Sequence, residues 1–174
     1  MREEQAAQGR DGTRRWRRWD TVIVVAFVCV LIGLAVPVML RARTKAHALF
    51  CRRNLEQLGM SLAMYASEHD GYLPPAARWS DCTLPIAGAR HFSDCPAAKP
   101  GGFAMNQAAS GLKLEDIPDH DHFILLFDGD SEWNASGGAE SVQYRHHDGA
   151  HFVLANGAIQ WVESGGPHPY AWEP

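Results

Sequence analysis

Residues 21–40 read TVIVVAFVCVLIGLAVPVML, twenty consecutive positions without a charge. A helix rises about 1.5 Å per residue, so this run spans about 30 Å, one hydrocarbon thickness. A soluble domain of this size cannot wrap such a helix on every side. The run is also longer than the apolar core of a secretory signal. The A-x-A that follows it, Ala46-His47-Ala48, stands behind Arg41, Arg43 and Lys45, a poor place for a signal peptidase to cut. The expectation is a single retained membrane span over residues 20–40.

The flanking charges orient it. Arg2, Arg10, Arg14, Arg15, Arg17 and Arg18 precede the span, and Arg41, Arg43, Lys45, Arg52 and Arg53 follow it. The positive-inside bias places residues 1–19 in the cytoplasm by a narrow margin, with Trp16 and Trp19 at the interface. The rest of the chain is then extracytoplasmic. The net charge of -4 argues against a nucleic-acid partner. Residues 1–15 are polar and contain glycine, and are expected to be disordered.

The helical pattern does not stop at the end of the span. Ala48, Cys51, Leu55, Leu58, Leu62 and Tyr65 recur at spacings of three and four, one face of a helix that continues over residues 41–70. Pro37 interrupts it without ending it, and Asp70-Gly71 followed by Pro74-Pro75 stops it. Residues 71–120 are rich in Pro, Gly and Ala and read as loops. Strands follow at 123–127, 141–145, 152–155 and 158–162, with His147-Asp148-Gly149 as one turn. Asn156-Gly157 is the type I′ hairpin signal of the chain. The fold class is α+β: a long N-terminal helix, membrane half plus amphipathic half, packed on a small antiparallel sheet. The head covers residues 71–163, and a Pro-rich tail, 164–174, shows no structure signal.

Three stretches resemble the pseudopilins of type II secretion and the type IV pilins. Cys51-Arg52-Arg53-Asn54-Leu55-Glu56-Gln57-Leu58-Gly59, with Tyr65 and Asp70-Gly71-Tyr72-Leu73-Pro74, resembles the family run C-x-x-N-L-K-Q-L-G … Y … D-G-x-x-P. Cys95-Pro96 and Phe103-Ala104-Met105-Asn106 resemble C-P … Y-x-M-N. His146 followed after nine residues by Asn156-Gly157 resembles the C-terminal H-x9-D-G signature. The resemblance covers residues 20–163 and implies a pilin-like fold. It also implies a structural role and assembly with similar subunits through the N-terminal helix.

Aligning Pro37 with the helix proline of that family makes Asp20 the counterpart of the conserved acidic residue. Asp20 and Pro37 are therefore the expected assembly residues. Trp16 then stands at the first mature position and Arg15 where the processing glycine belongs, so the peptidase site is degenerate. The span reads as a permanent anchor.

Chemistry is sparse. No nucleophile has a base partner and no phosphate or dinucleotide fingerprint is present, so no enzyme is expected. Asp128, Asp130 and Glu132 set three carboxylates at alternate positions, a donor set that suits calcium, with a plain charged turn as the other reading and no cofactor otherwise expected. His120, Asp121 and His122, and His146, His147, Asp148 and His151, form two groups with imidazole and carboxylate ligands for zinc or nickel. The plainer reading makes these turn histidines, with His146 holding the hairpin. A His- and Asp-rich head that captures a metal or ligand is the alternative function. Trp133, Trp161 and Trp172 read as sheet cover or as a sugar or peptide groove. Cys82 and Cys95 are the expected disulfide, with pairing of either to Cys51 also open.

Overall fold

The computed structural model describes residues 2–87, 102–130 and 132–174, with side chains from Trp19 on, Ala87 excepted. The chain divides into two compact units, Met1–Thr44 and Lys45–Pro174. Helix α1, Arg2–Glu68, runs through both. Its backbone is already helical at Arg2, so the expected disorder over residues 1–15 is not borne out. Glu, Gln, Ala and Arg fill that stretch, and their helix propensity outweighs Gly9 and Gly12. Pro37 lies inside α1, which continues through it. From Val22 to Leu40 the large apolar side chains are exposed, Phe27 by 63% and Leu34 by 66%. It is the one stretch among the described residues long and apolar enough to cross a membrane.

In the second unit the stripe expected on α1 is the buried face: Cys51, Leu55, Leu58 and Leu62 are essentially inaccessible. Burying each leucine contributes about 1.5–3 kcal/mol. Asp70 and Gly71 end the helix with left-handed φ values of 54° and 86°. The Gly71 N–H bonds back to the Ala66 carbonyl at 2.8 Å.

A short helix, α2 (Trp79–Ala87), follows. The sheet is built from β1 (Gly102–Asn106), β2 (Ile124–Gly129), β3 (Ser136–Gly137), β4 (Gly149–Leu154) and β5 (Ile159–Glu163). Its order is β3-β1-β2-β4-β5, five strands against the four expected. All neighbours are antiparallel except β1 and β3, which are parallel. β1 falls in a region read as loop, because its five positions are all buried and show no alternation. The strand expected at 141–145 does not form. Its N–H groups bond locally, Ser141 to Gly138 and Arg145 to Gln143, and Gln143 alone reaches the sheet, at the Asp128 carbonyl 2.8 Å away.

Both faces of the sheet are covered. Phe103, Met105, Leu126 and Val153 pack with the α1 stripe and Trp79. An added Cβ at Gly59 would stand 2.9 Å from Val153 Cγ1, so this glycine sets the close approach of helix and sheet. Ala104, Phe127, Phe152, Leu154 and Val162 form the second face, covered by Tyr170 and Trp172. The tail is thus ordered, contrary to expectation. Its aromatic rings supply the apolar cover that the Pro-rich composition obscured. Ala171 pairs with Phe123 in a parallel bridge. The buried Asn106 amide donates to the Ile124 and Trp172 carbonyls at 2.8 and 2.9 Å.

The expected Cys82–Cys95 disulfide is not made: Cys82, on α2, is a free thiol, as is Cys29. Cys51, buried on the helix stripe, is disulfide-bonded. Cys95 lies outside the described residues.

Candidate functional site

The site begins with a tight turn. His146 and Gly149 exchange both backbone hydrogen bonds, at 2.9 and 3.1 Å. His147 and Asp148 between them have φ of 54° and 60°. This is type I′ geometry, which needs positive φ at both central positions. The sequence assigned that geometry to Asn156-Gly157, where only Gly157 is left-handed, at 83°. There the loop has three residues: Gly157 N–H bonds to the Leu154 carbonyl at 2.9 Å, and Asn156 Oδ1 accepts the Ala158 N–H at 2.8 Å. The Asn side chain closes the longer loop by itself, so the left-handed pair is not required.

At the tighter turn Gly149 is needed for room. An added Cβ would lie 2.2 Å from Trp161 Cε2. The Trp161 indole N–H in turn donates to the His146 carbonyl at 2.9 Å.

Strand alternation then brings His151, two residues past Gly149, to the same side as His146, with ring centroids 4.9 Å apart. Asp128 arrives from β2, one step beyond the Phe127–Phe152 pair. Its Oδ2 accepts the backbone N–H of His151 at 2.8 Å. The same oxygen lies 3.1 Å from His151 Nδ1 and 3.5 Å from His146 Nε2. Asp128 is fully buried, and the two histidines nearly so. Asp128 Oδ1 is also buried and has no hydrogen-bond partner among the described residues.

Burial by itself would raise the Asp128 pKa. Hydrogen bonds from His146 and His151 outweigh it and hold the carboxyl below its ordinary range. Arg145 adds a cation nearby: it donates to the Gly129 carbonyl, while its Nε and Nη1 are buried without partners. Burial lowers the Arg145 pKa, against the opposing charges of Asp128 and Asp130.

Of the three carboxylates expected together, only Asp128 belongs to this cluster. Asp130 is exposed and accepts from Gln143 Nε2 at 3.2 Å, and Glu132 is exposed. The histidine groups also separate. His122 pairs with Asp119 at 2.8 Å and His120 bonds the Leu114 carbonyl at 2.7 Å, both near the surface. His147 and Asp148 occupy the exposed turn. Asn156 sits at the other hairpin loop, bonded to Asp121 at 2.8 Å. Asp20 and Pro37 lie in the first unit. The three tryptophans do not share a groove. Trp133 bonds Asp81, Trp172 packs edge-on against Phe127 and Phe152, and Trp161 lines a cleft. That cleft, of about 350 Å³, is bounded by Ala48, Leu49, Arg52, His151, Ile159 and Trp161.

The convergence of Asp128 with His146 and His151 was not read from the sequence. The signal available was the shared alternation of Leu126 with Asp128 and of His151 with Val153. No protein-family model, curated protein or solved structure gives a match to this chain.

Proposed function

We propose that the chain is a membrane-anchored, pseudopilin-like structural protein, a component or relative of a type II secretion or type IV pilus-like assembly. Residues 20–40 hold it in a bacterial cytoplasmic membrane as a single pass, with the N-terminus inside and the head outside. It meets similar subunits through α1, where Asp20 and Pro37 take the assembly positions, and it catalyses no reaction. The observation that carries this reading is the single helix α1. It bears an apolar stretch that nothing in the described chain covers, and then a stripe buried against a mainly antiparallel sheet. Uncovered apolar surface on that scale calls for lipid or a partner helix. The disulfide at Cys51 supports an oxidising compartment for the head.

The test uses the full chain in its membrane. The expected product is uncut, crosslinks to a second pseudopilin-like subunit through α1, and loses those crosslinks on Asp20→Ala. In spheroplasts an impermeant maleimide is expected to reach Cys82 without lysis. Loss of about fifteen residues on a gel would refute retention of the N-terminus. Crosslinking unchanged by Asp20→Ala, or Cys82 labelled only after lysis, would refute the assembly role or the orientation.

A further inference from the structure

We infer that Asp128, His146 and His151 form a three-ligand site for a divalent transition-metal ion of the zinc class. The inference stands on the head alone and does not depend on the assembly reading above.

Each residue offers one ligand atom, and the three atoms all lie within 4.8 Å of one another. Zinc takes imidazole nitrogen and carboxylate oxygen at about 2.0–2.2 Å, so two ligands at a tetrahedral angle stand about 3.4 Å apart. The two edges meeting at Asp128 Oδ2 are 3.1 and 3.5 Å. Two of the three edges therefore already have the spacing an ion imposes, and the third lies within 4.8 Å.

A second observation points the same way. Asp128 Oδ1 is buried without a hydrogen-bond partner among the described residues, and such an oxygen costs about 1–3 kcal/mol. A cation that reached Oδ1 as well as Oδ2 would give that oxygen its missing partner. The donor set selects the ion. Two imidazoles and one carboxylate suit zinc, iron(II), cobalt or nickel, whereas calcium wants six to eight oxygens. Asp130 and Glu132, which would supply such oxygens, are not in the group.

The surroundings fix the ligands. The His151 N–H holds Asp128 Oδ2, and the Trp161 indole holds the carbonyl of His146, the kind of outer support that orients metal ligands. His151 also forms part of the cleft wall, which gives an ion a route in. Three protein ligands leave a further coordination position for water or an anionic donor.

The experiment uses the full chain in detergent micelles, stripped with EDTA and titrated with zinc by calorimetry, with cobalt(II) as the spectroscopic probe. One zinc per chain is expected. Asp128→Asn and His151→Gln each change a ligand and are expected to weaken it by at least roughly 100-fold, the upper end of what losing an outer support costs, while His122→Gln, at a half-exposed histidine outside the cluster, leaves it unchanged. Zinc binding that survives both site variants, or a full complement that requires His122, overturns the inference. So does saturation by calcium in preference to zinc. Should a variant lose its fold by circular dichroism, X-ray absorption of the zinc-loaded wild type decides. A shell with two imidazoles and a carboxylate supports the site, and an oxygen-only shell overturns it.

Discussion

The carboxylate of Asp128 accepts the backbone N–H of His151 at 2.8 Å, so the β2–β4 ladder ends on a side chain rather than a carbonyl. One oxygen thereby fixes a strand end and, with the same atom, faces two imidazoles. Asp128→Ala removes that acceptor and leaves buried donors unmet. A loss of about 3 kcal/mol is expected, measured by urea denaturation in EDTA so that no ion contributes. Asp128→Asn, which keeps an acceptor oxygen, should lose roughly half as much. Equal stability of Asp128→Ala and wild type would show that the buried carboxylate supports nothing.

Gly149 and Trp161 are expected to be coupled. Gly149→Ala drives a methyl into the indole and should destabilise by about 1–3 kcal/mol. In a Trp161→Ala background the same change should be nearly neutral, because the obstructing ring is gone. A double-mutant cycle measures this, and additive effects would contradict the packing described.

Asn106 ties β1 to both β2 and the tail. Asn106→Ala loses two donated bonds and the cap it gives to the Ala108 N–H. A destabilisation of about 2–4 kcal/mol is expected. The Ala171 amide, bonded to the His122 carbonyl, should exchange faster than the amides of β4. Unchanged exchange at Ala171 would mean the tail holds without Asn106.

At the surface, Asp81 receives hydrogen bonds from Asn134 Nδ2 at 2.9 Å and from the Trp133 indole at 2.8 Å. These hold its carboxyl below the ordinary value of 3.8. A depressed folded pKa gives stabilisation that is complete above the unfolded value and fades as pH falls through the folded one. The Trp133 indole N–H resonance should therefore stay constant from pH 8 to about 5 and move only below about 4. A midpoint above 4 would contradict the clamp.

How much of this was legible varies with the range of the interactions. The α1 stripe follows from a 3.6 period that one helix contains, so Cys51, Leu55, Leu58 and Leu62 could be read directly. His146 and His151 could be singled out, and so could Asp128, but as members of different groups. Their meeting depends on the β2–β4 register, which shifts between Ile124 and Leu126. No local pattern encodes such a shift. β1 was missed because burial on both faces erases the alternation that marks a strand. The left-handed pair was placed at Asn156-Gly157 by composition, whereas the chain uses His147-Asp148, a sequence with weaker intrinsic preference for that conformation.

The cover over the second face of the sheet, formed by Tyr170 and Trp172, restricts how heads can meet. Among the described residues, α1 packs on one side of the sheet and the tail on the other, so neither face is bare. At the edges of the sheet, β3 is only two residues long. The edge strand β5, from Ile159 to Glu163, is the longer of the two. Were two heads to pair edge to edge, β5 would offer the longer run of backbone.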